Sequence, residues 1–365
     1  MGWTALGYSA PYYPLYALFF LSTGLTDAEV SGLFALWSVT GFLAEVPAGA
    51  LADRWSRRGC LVLASLLEAA GFVAWTAVPG LPGFAAGFVL WGLGGALVSG
   101  AAEALVYEGL AAAGAVGAYP RVNGWISATE LVSQVPTAFL ATGLFAVGGY
   151  PLVGWVSVGV CLATAGLALR FPAPPRTAGD DDGVGGPRAG VLAALRRPGL
   201  LLLVAALALV GGIDAIEEYF PVAAGAWGVP TAAVPVAVLA VPLTGAVGAA
   251  LGGRTGRLPA GRLAALLVVA GGLLAVAALW ARPAALAALA LFYGCYLAVL
   301  VVAEARLQDR IPGRSRATIT SVAALGVEVT SLAVFAAWAL HGALAVAVLV
   351  VVAAPVLALA LRSGR

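Results

Sequence analysis

Gly49-Ala50-Leu51-Ala52-Asp53-Arg54-Trp55-Ser56-Arg57-Arg58 separates two long apolar runs and carries the first positive charges of the chain. One Asp and three Arg cost too much to place in hydrocarbon, so this stretch is a short loop at a membrane surface. Gly49 lets two helix backbones approach closely. Asp53 stands where a helix ends and can hold a neighbouring helix N-terminus or an Arg.

The whole chain has the composition of a protein that lives in a bilayer. Of its 365 residues, 62% are hydrophobic and 10% charged, with a mean hydropathy of +1.01; a soluble domain carries about 25% charged residues. A spanning helix needs about 20 apolar residues, so twelve spans with short loops fit and leave little for a soluble domain. The net charge of +2 carries no sign of nucleic acid. All 19 basic residues are Arg. Without Lys there is neither a Walker A motif nor a Schiff base, and no Gly-x-Ser-x-Gly occurs. His341 is the single His, and Cys60, Cys161 and Cys295 fall in separate apolar runs without metal spacing. A nucleotide-driven pump, a hydrolase, a metal site and a bound cofactor are therefore not expected; the cysteines read as inert buried thiols.

The apolar runs lie at about 6–21, 30–52, 60–78, 84–110, 122–147 and 152–169, then 199–225, 230–251, 263–280, 284–307, 317–340 and 342–361. Pro11-Tyr12-Tyr13-Pro14 must kink or break the first of them. Tyr12 and Tyr13 beside that kink either line a cavity or sit in an interfacial belt. Gly87 and Gly92-Leu93-Gly94-Gly95 suit close packing of the fourth. Between the sixth and seventh runs, Pro172, Pro174, Pro175, Asp180-Asp181-Asp182 and Gly185-Gly186 make a flexible polar linker. The expected domains are residues 1–170, a linker at 171–198, and residues 199–365. With both termini cytoplasmic, Arg282 alone falls outside, a strong positive-inside asymmetry. No cleavable signal peptide is evident.

The loop quoted above resembles the signature between the second and third helices of the major facilitator superfamily, Gly-x-x-x-Asp-Arg-x-Gly-Arg-Arg. Gly49, Asp53, Arg54, Arg57 and Arg58 match it; Ser56 stands where the family has Gly. An internal repeat extends the resemblance over the chain. Arg54-Trp55-Ser56-Arg57 aligns with Arg254-Thr255-Gly256-Arg257, and Ala102-Glu103-Ala104 with Ala303-Glu304-Ala305, each roughly 200 residues apart. The resemblance implies an all-α integral membrane fold of twelve transmembrane helices in two pseudo-symmetric six-helix bundles. It also implies transport by alternating access, with a small-molecule site near the midplane, and a monomer in the cytoplasmic membrane.

Each intramembrane carboxylate costs about 2.5–3.5 kcal/mol on insertion scales and needs a reason. Glu103 and Glu304 lie within roughly 10 Å of the cytoplasmic surface, within reach of the loop arginines, among them Arg254 and Arg257. They read as a salt-bridge gate, with direct substrate contact as the other reading. Glu130 and Glu328 lie roughly 12–17 Å deep, where few basic residues reach. A carboxyl there can carry a proton near neutral pH, which suits coupling; a neutral Glu serving packing is the bland alternative. Asp214, Glu217 and Glu218 share one face of a helix at i, i+3 and i+4. They either draw cations into a cavity, with Asp214 a further coupling candidate, or mark a solvated helix end. Glu45 and Glu68 rank below these.

Excess acid without a midplane base argues for a neutral or cationic, partly hydrophobic substrate. Proton-coupled efflux is the first expectation, with the proton gradient as the energy source. Uptake or facilitated diffusion of a small nutrient is the second, and a non-transporting scaffold or sensor the third. Gln134-Val135-Pro136 stands where family antiporters carry a Gly-Pro pattern, which counts against efflux. The arginine asymmetry gives a direct test. In a background without the native cysteines, Asp181→Cys should resist an impermeant maleimide in intact cells and react after lysis. Labelling of intact cells would reverse the orientation.

Overall fold

The computed structural model describes residues 1–171, 198–254, 258–310 and 316–362. Most of the expected linker and Arg257 lie outside the described residues. Those described are helical, with no strand among them, and nine helices are long and apolar enough to cross a membrane. Within a bilayer, helices satisfy every backbone group internally, which is why this composition folds this way.

The first apolar run is two short helices, α1 (Gly2–Gly7) and α2 (Tyr16–Ser22). Residues 8–15 between them are non-helical, as the two prolines dictate. α3 (Asp27–Arg54) starts on a capping box, in which the Glu29 amide donates to Thr26 Oγ1 at 3.2 Å and the Thr26 amide to Glu29 Oε2 at 2.8 Å. α4 (Arg57–Ala77) follows at once, then α5 (Leu81–Ala112) and α6 (Tyr119–Ala168). α7 (Pro198–Gly212) runs into a 3-10 helix at Ile213–Tyr219 and then α8 (Phe220–Ala226). α9 (Val234–Val238), α10 (Ala240–Arg254), α11 (Ala260–Trp280), α12 (Leu286–Arg310) and α13 (Arg316–Arg362) complete the chain.

α6 has 50 residues and α13 has 47. At 1.5 Å per residue each would run roughly 70–75 Å, more than twice a hydrocarbon core of ~30 Å. Each is interrupted where the apolar runs meet: α6 at Gly149 (φ 61°), α13 at His341 and Gly342 (φ 59° at the glycine). Glycine accepts that positive φ without the Cβ penalty, and so permits a reversal.

Two compact units emerge. One lies within Met1–Ala178 plus Pro230–Leu239, the other within Gly179–Val229 plus Ala240–Arg365. In the first, α3 and α5 touch at paired glycines: a Cβ on Gly100 would lie 3.1 Å from Gly49 Cα. Around this seam sit Ala48, Ala52, Leu61, Ala64, Leu97 and Ala101, all buried. Gly87, Gly92 and Gly94 are packed as their clustering predicts, whereas Gly95 meets nothing within 4 Å. In the second unit, α10 lies on α12 along Gly245, Gly248 and Gly252. A Cβ on Gly252 would sit 2.5 Å from the Ala298 carbonyl oxygen, and one on Gly248 would collide with that of Gly294. Close small-residue contacts of this kind replace the hydrophobic effect that lipid removes.

Gly248→Ala should therefore cost about 1–3 kcal/mol, as over-packing does, and lower the thermal midpoint in detergent. Gly272→Ala, at a glycine with open space around it, should leave the midpoint unchanged. Equal midpoints for both would show that the α10–α12 contact is not tight.

Candidate functional site

The signature loop is a tight turn closed by side chains. Ser56 replaces the expected glycine and caps α4, its Oγ accepting from the Gly59 amide at 3.1 Å in an extended conformation that needs no glycine. Arg57 Nη2 lies 3.5 Å from Asp53 Oδ1, and its Nη1 pairs with Glu108. Arg58 Nη1 donates to the Phe171 carbonyl at 3.3 Å, just past the end of α6. In the second unit Arg310 does the same for α13, donating to the Ala360 and Leu361 carbonyls at 3.1 and 3.0 Å; both are favourable at a helix C-terminus. Among the described residues Glu103 and Glu304 enter no ion pair. Glu103 and Glu108 are five residues apart on α5, about 140° around the helix, and Glu103 lies by Tyr119 instead. Arg54 and Arg254 end α3 and α10.

Deeper in the first unit, the break after α1 is held by α6. Thr137 Oγ1 donates to the Tyr8 carbonyl at 3.3 Å, and the Tyr12 amide donates to Ser157 Oγ at 3.0 Å. Both backbone groups lost their helical partners at the break. The Tyr8 hydroxyl is hydrogen-bonded to the Glu130 carboxyl. Tyr12 lines no opening. Only 1% exposed, it stacks on Trp75 and accepts from Thr76 Oγ1 at 3.4 Å, because the turn points it into the bundle. Tyr13 is half-buried, stacked on Trp91 at 5.5 Å. Glu45 is exposed, and Glu68 is half-buried against Gly94, a Cβ on which would lie 3.3 Å from Glu68 Cγ.

The second unit has its own broken helix, at a place where the sequence predicts a continuous span. α13 crosses α7 so closely at Gly212 that a Cβ there would lie 2.7 Å from the Val327 carbonyl oxygen and collide with Thr330. Past that contact the chain tightens to 3-10 winding over Ile213–Tyr219. Side chains serve the carbonyls at the transition. Tyr296 donates its hydroxyl to the Val210 oxygen at 2.9 Å, with the Gly211 oxygen at 3.3 Å, and Ser331 Oγ reaches the Gly212 oxygen at 3.5 Å.

Winding at three residues per turn eclipses positions i and i+3. Asp214 and Glu217 thus stand one above the other, while Glu218 falls a third of a turn away. The tyrosine hydroxyl of Tyr293 on α12 meets both stacked carboxyls: 3.0 Å to Asp214 Oδ1 and 3.4 Å to Glu217 Oε2. Its ring is fixed by Phe220 at 5.1 Å, by Tyr296 at 5.8 Å, and by the bare face of Gly245, where a Cβ would lie 2.6 Å from the ring. Asp214 is half-buried and Glu217 is accessible. Glu328, half-buried on α13, is not among the groups that Tyr293 reaches. Sequence reading missed Tyr293 and Tyr296. Their signal was five residues, Phe292-Tyr293-Gly294-Cys295-Tyr296, placing two polar handles and a glycine inside an apolar run.

The sequence profile of the Major Facilitator Superfamily matches residues 1–333. The fold is similar to that of a bacterial homologue of the human lysosomal transporter Spinster, inward-facing and unoccupied: TM-score 0.79, 16% identity, 99% of this chain and 95% of that one. The nucleoside transporter NupG is similar at TM-score 0.74 and 12% identity, over 99% of this chain and 96% of that one. A D-xylose-proton symporter is similar at TM-score 0.72 and 16% identity, over 98% and 94%. No curated protein sequence matches.

The Tyr296 contacts make a prediction about the break itself. Tyr296→Phe keeps the ring and strands buried carbonyls, at a cost of about 1–3 kcal/mol. Amides of Ile213–Tyr219 should then exchange hydrogen faster than in the wild type. Unchanged exchange would show that Tyr296 does not hold this segment.

Proposed function

This chain belongs to the major facilitator superfamily, and from that premise we propose that it couples proton entry to efflux of a neutral or cationic, partly hydrophobic small molecule. It does so by alternating access, as a twelve-crossing monomer of the cytoplasmic membrane with both termini inside. Transport of a small molecule across a membrane, without enzymatic chemistry or a cofactor, is the family's work; substrate class, direction and coupling are the proposal.

One observation carries it. Asp214 and Glu217 share a tyrosine hydroxyl within a spanning segment, and no described Arg pairs with either. Two carboxylates held together in a medium of low dielectric repel each other, and their charge must be offset by protons or by a cation. A cationic substrate and a proton then compete for the same negative site, which exchanges one flux for the other without any covalent step. Glu130, held by Tyr8 in the first half, is a second carboxyl of this kind. Glu103, Glu304 and the loop arginines would act on the cytoplasmic side as the gate, with Glu108 joining them through Arg57.

The assay is purified protein in liposomes with an imposed pH gradient and ethidium as a lipophilic cation. Glu217→Gln should abolish gradient-driven accumulation of ethidium. Glu130→Gln, tested separately, asks whether the first half carries a proton as well. If neither variant loses gradient-driven transport, these carboxyls do not couple.

A further inference from the structure

Hydrogen counting at the second-half site leads further than the presence of acids. A phenol carries a single hydrogen and can donate once. Tyr293 nevertheless stands within hydrogen-bond distance of two carboxyls, Asp214 at 3.0 Å and Glu217 at 3.4 Å. With both ionised, only one is served and the other faces the phenol oxygen across a repulsive gap. With one proton on Glu217, the arrangement closes: Glu217 donates to the Tyr293 oxygen, and Tyr293 donates to Asp214. Moving both hydrogens along the chain gives the mirror state, in which Asp214 donates to Tyr293 and Tyr293 to Glu217. The atoms are the same, and the pair carries one net negative charge in each state.

We infer that Tyr293 is the positioning residue that makes Asp214 and Glu217 share one proton. The inference rests on the proton-coupled reading above and specifies how that site holds its proton. Three features of the structure support it. The 3-10 winding eclipses Asp214 and Glu217 beneath one hydroxyl and turns Glu218 aside, where an α-helix would keep all three on one face. Gly245, Phe220 and Tyr296 wedge the Tyr293 ring, so its oxygen stays between them. Asp214 lies nearer the Tyr293 oxygen than Glu217 does, 3.0 Å against 3.4 Å, so Asp214 is the member that keeps the Tyr293 donor while Glu217 carries the proton.

The other titratable groups around the pair are few. Glu218 adjoins Glu217 on the same segment, Tyr296 and Glu304 lie on α12, and Glu328 is on α13. α10 presents Gly245 and α8 presents Phe220. The first half has the same pairing with the roles exchanged. There the tyrosine, Tyr8, is on the broken helix and the carboxyl, Glu130, on its neighbour.

The test is an infrared titration of the protonated-carboxyl band in purified, substrate-free protein, which needs no transport. Tyr293→Phe keeps the ring and removes the oxygen. Two hydrogen bonds of the singly protonated state are then lost against one of the doubly ionised state, and the midpoint of the band should move to lower pH by about one unit. An unchanged or a higher midpoint overturns the inference. If Tyr293→Phe does not fold, Glu217→Gln serves. It fixes a permanent donor beside Tyr293 and should remove the pair's share of the titrating band, leaving that of carboxyls elsewhere such as Glu130; a band unchanged in amplitude and midpoint overturns the inference too. Gradient-driven ethidium transport by wild-type protein is measured in parallel. Its absence, with the titration as expected, would sink the coupling reading and leave the shared proton standing.

Discussion

A helix that breaks inside a bilayer releases carbonyl and amide groups where no water can bond them, each at a cost of several kcal/mol. Both halves of this chain contain such a break, after α1 and after α7. Each is tolerated because neighbouring helices supply side chains to the freed groups. In the first half Ser157 of α6 accepts from the Tyr12 amide; in the second, Tyr296 of α12 donates to the Val210 carbonyl. The breaks occupy corresponding places in the internal repeat, at the first span of each half. Interrupted spans at matching positions are where transporters of this build hold their cargo and coupling ions.

The broken segments bring carboxyls and tyrosines together. In a continuous helix, Asp214, Glu217 and Glu218 would spread over one face and point at no common partner. Tightening the winding puts two of them on Tyr293 and turns the third aside. The contact of α13 at Gly212 and the glycine face of α10 at Gly245 fix the two ends of that arrangement. Packing between helices therefore reaches the chemistry directly, since the glycines that let backbones touch also aim the hydroxyl. At the Asp-Arg loop the same economy holds. Arg57 and Arg58 serve two acids and a helix end from adjacent positions.

Much of this was legible in the residues. The Asp-Arg loop, the arginine asymmetry and the repeat led to the family, and Pro11 with Pro14 foretold the first break. The reversals at Gly149 and Gly342 fall between runs already separated by hydropathy. The second break was not legible. Residues 213–219 contain neither Pro nor Gly, and the close approach at Gly212 beside them is made by a helix more than a hundred residues away in the chain. The partners on α12 were hidden for a related reason, because a tyrosine in an apolar run reads equally as core, belt or ligand. Tyr12 and Tyr13 show the limit plainly: adjacent and chemically identical, one is sealed in the core and the other half-buried, and only the turn between α1 and α2 decides which.

The central claim is that a cation and a proton compete for the carboxyls at the second break. Proton release on cation binding tests it most directly. Purified protein in weak buffer with a pH indicator is mixed with tetraphenylphosphonium near neutral pH. The account predicts release of about one proton for each cation bound, and none from the Asp214→Asn, Glu217→Gln double variant. Binding of the cation to wild-type protein with no release of protons would contradict it.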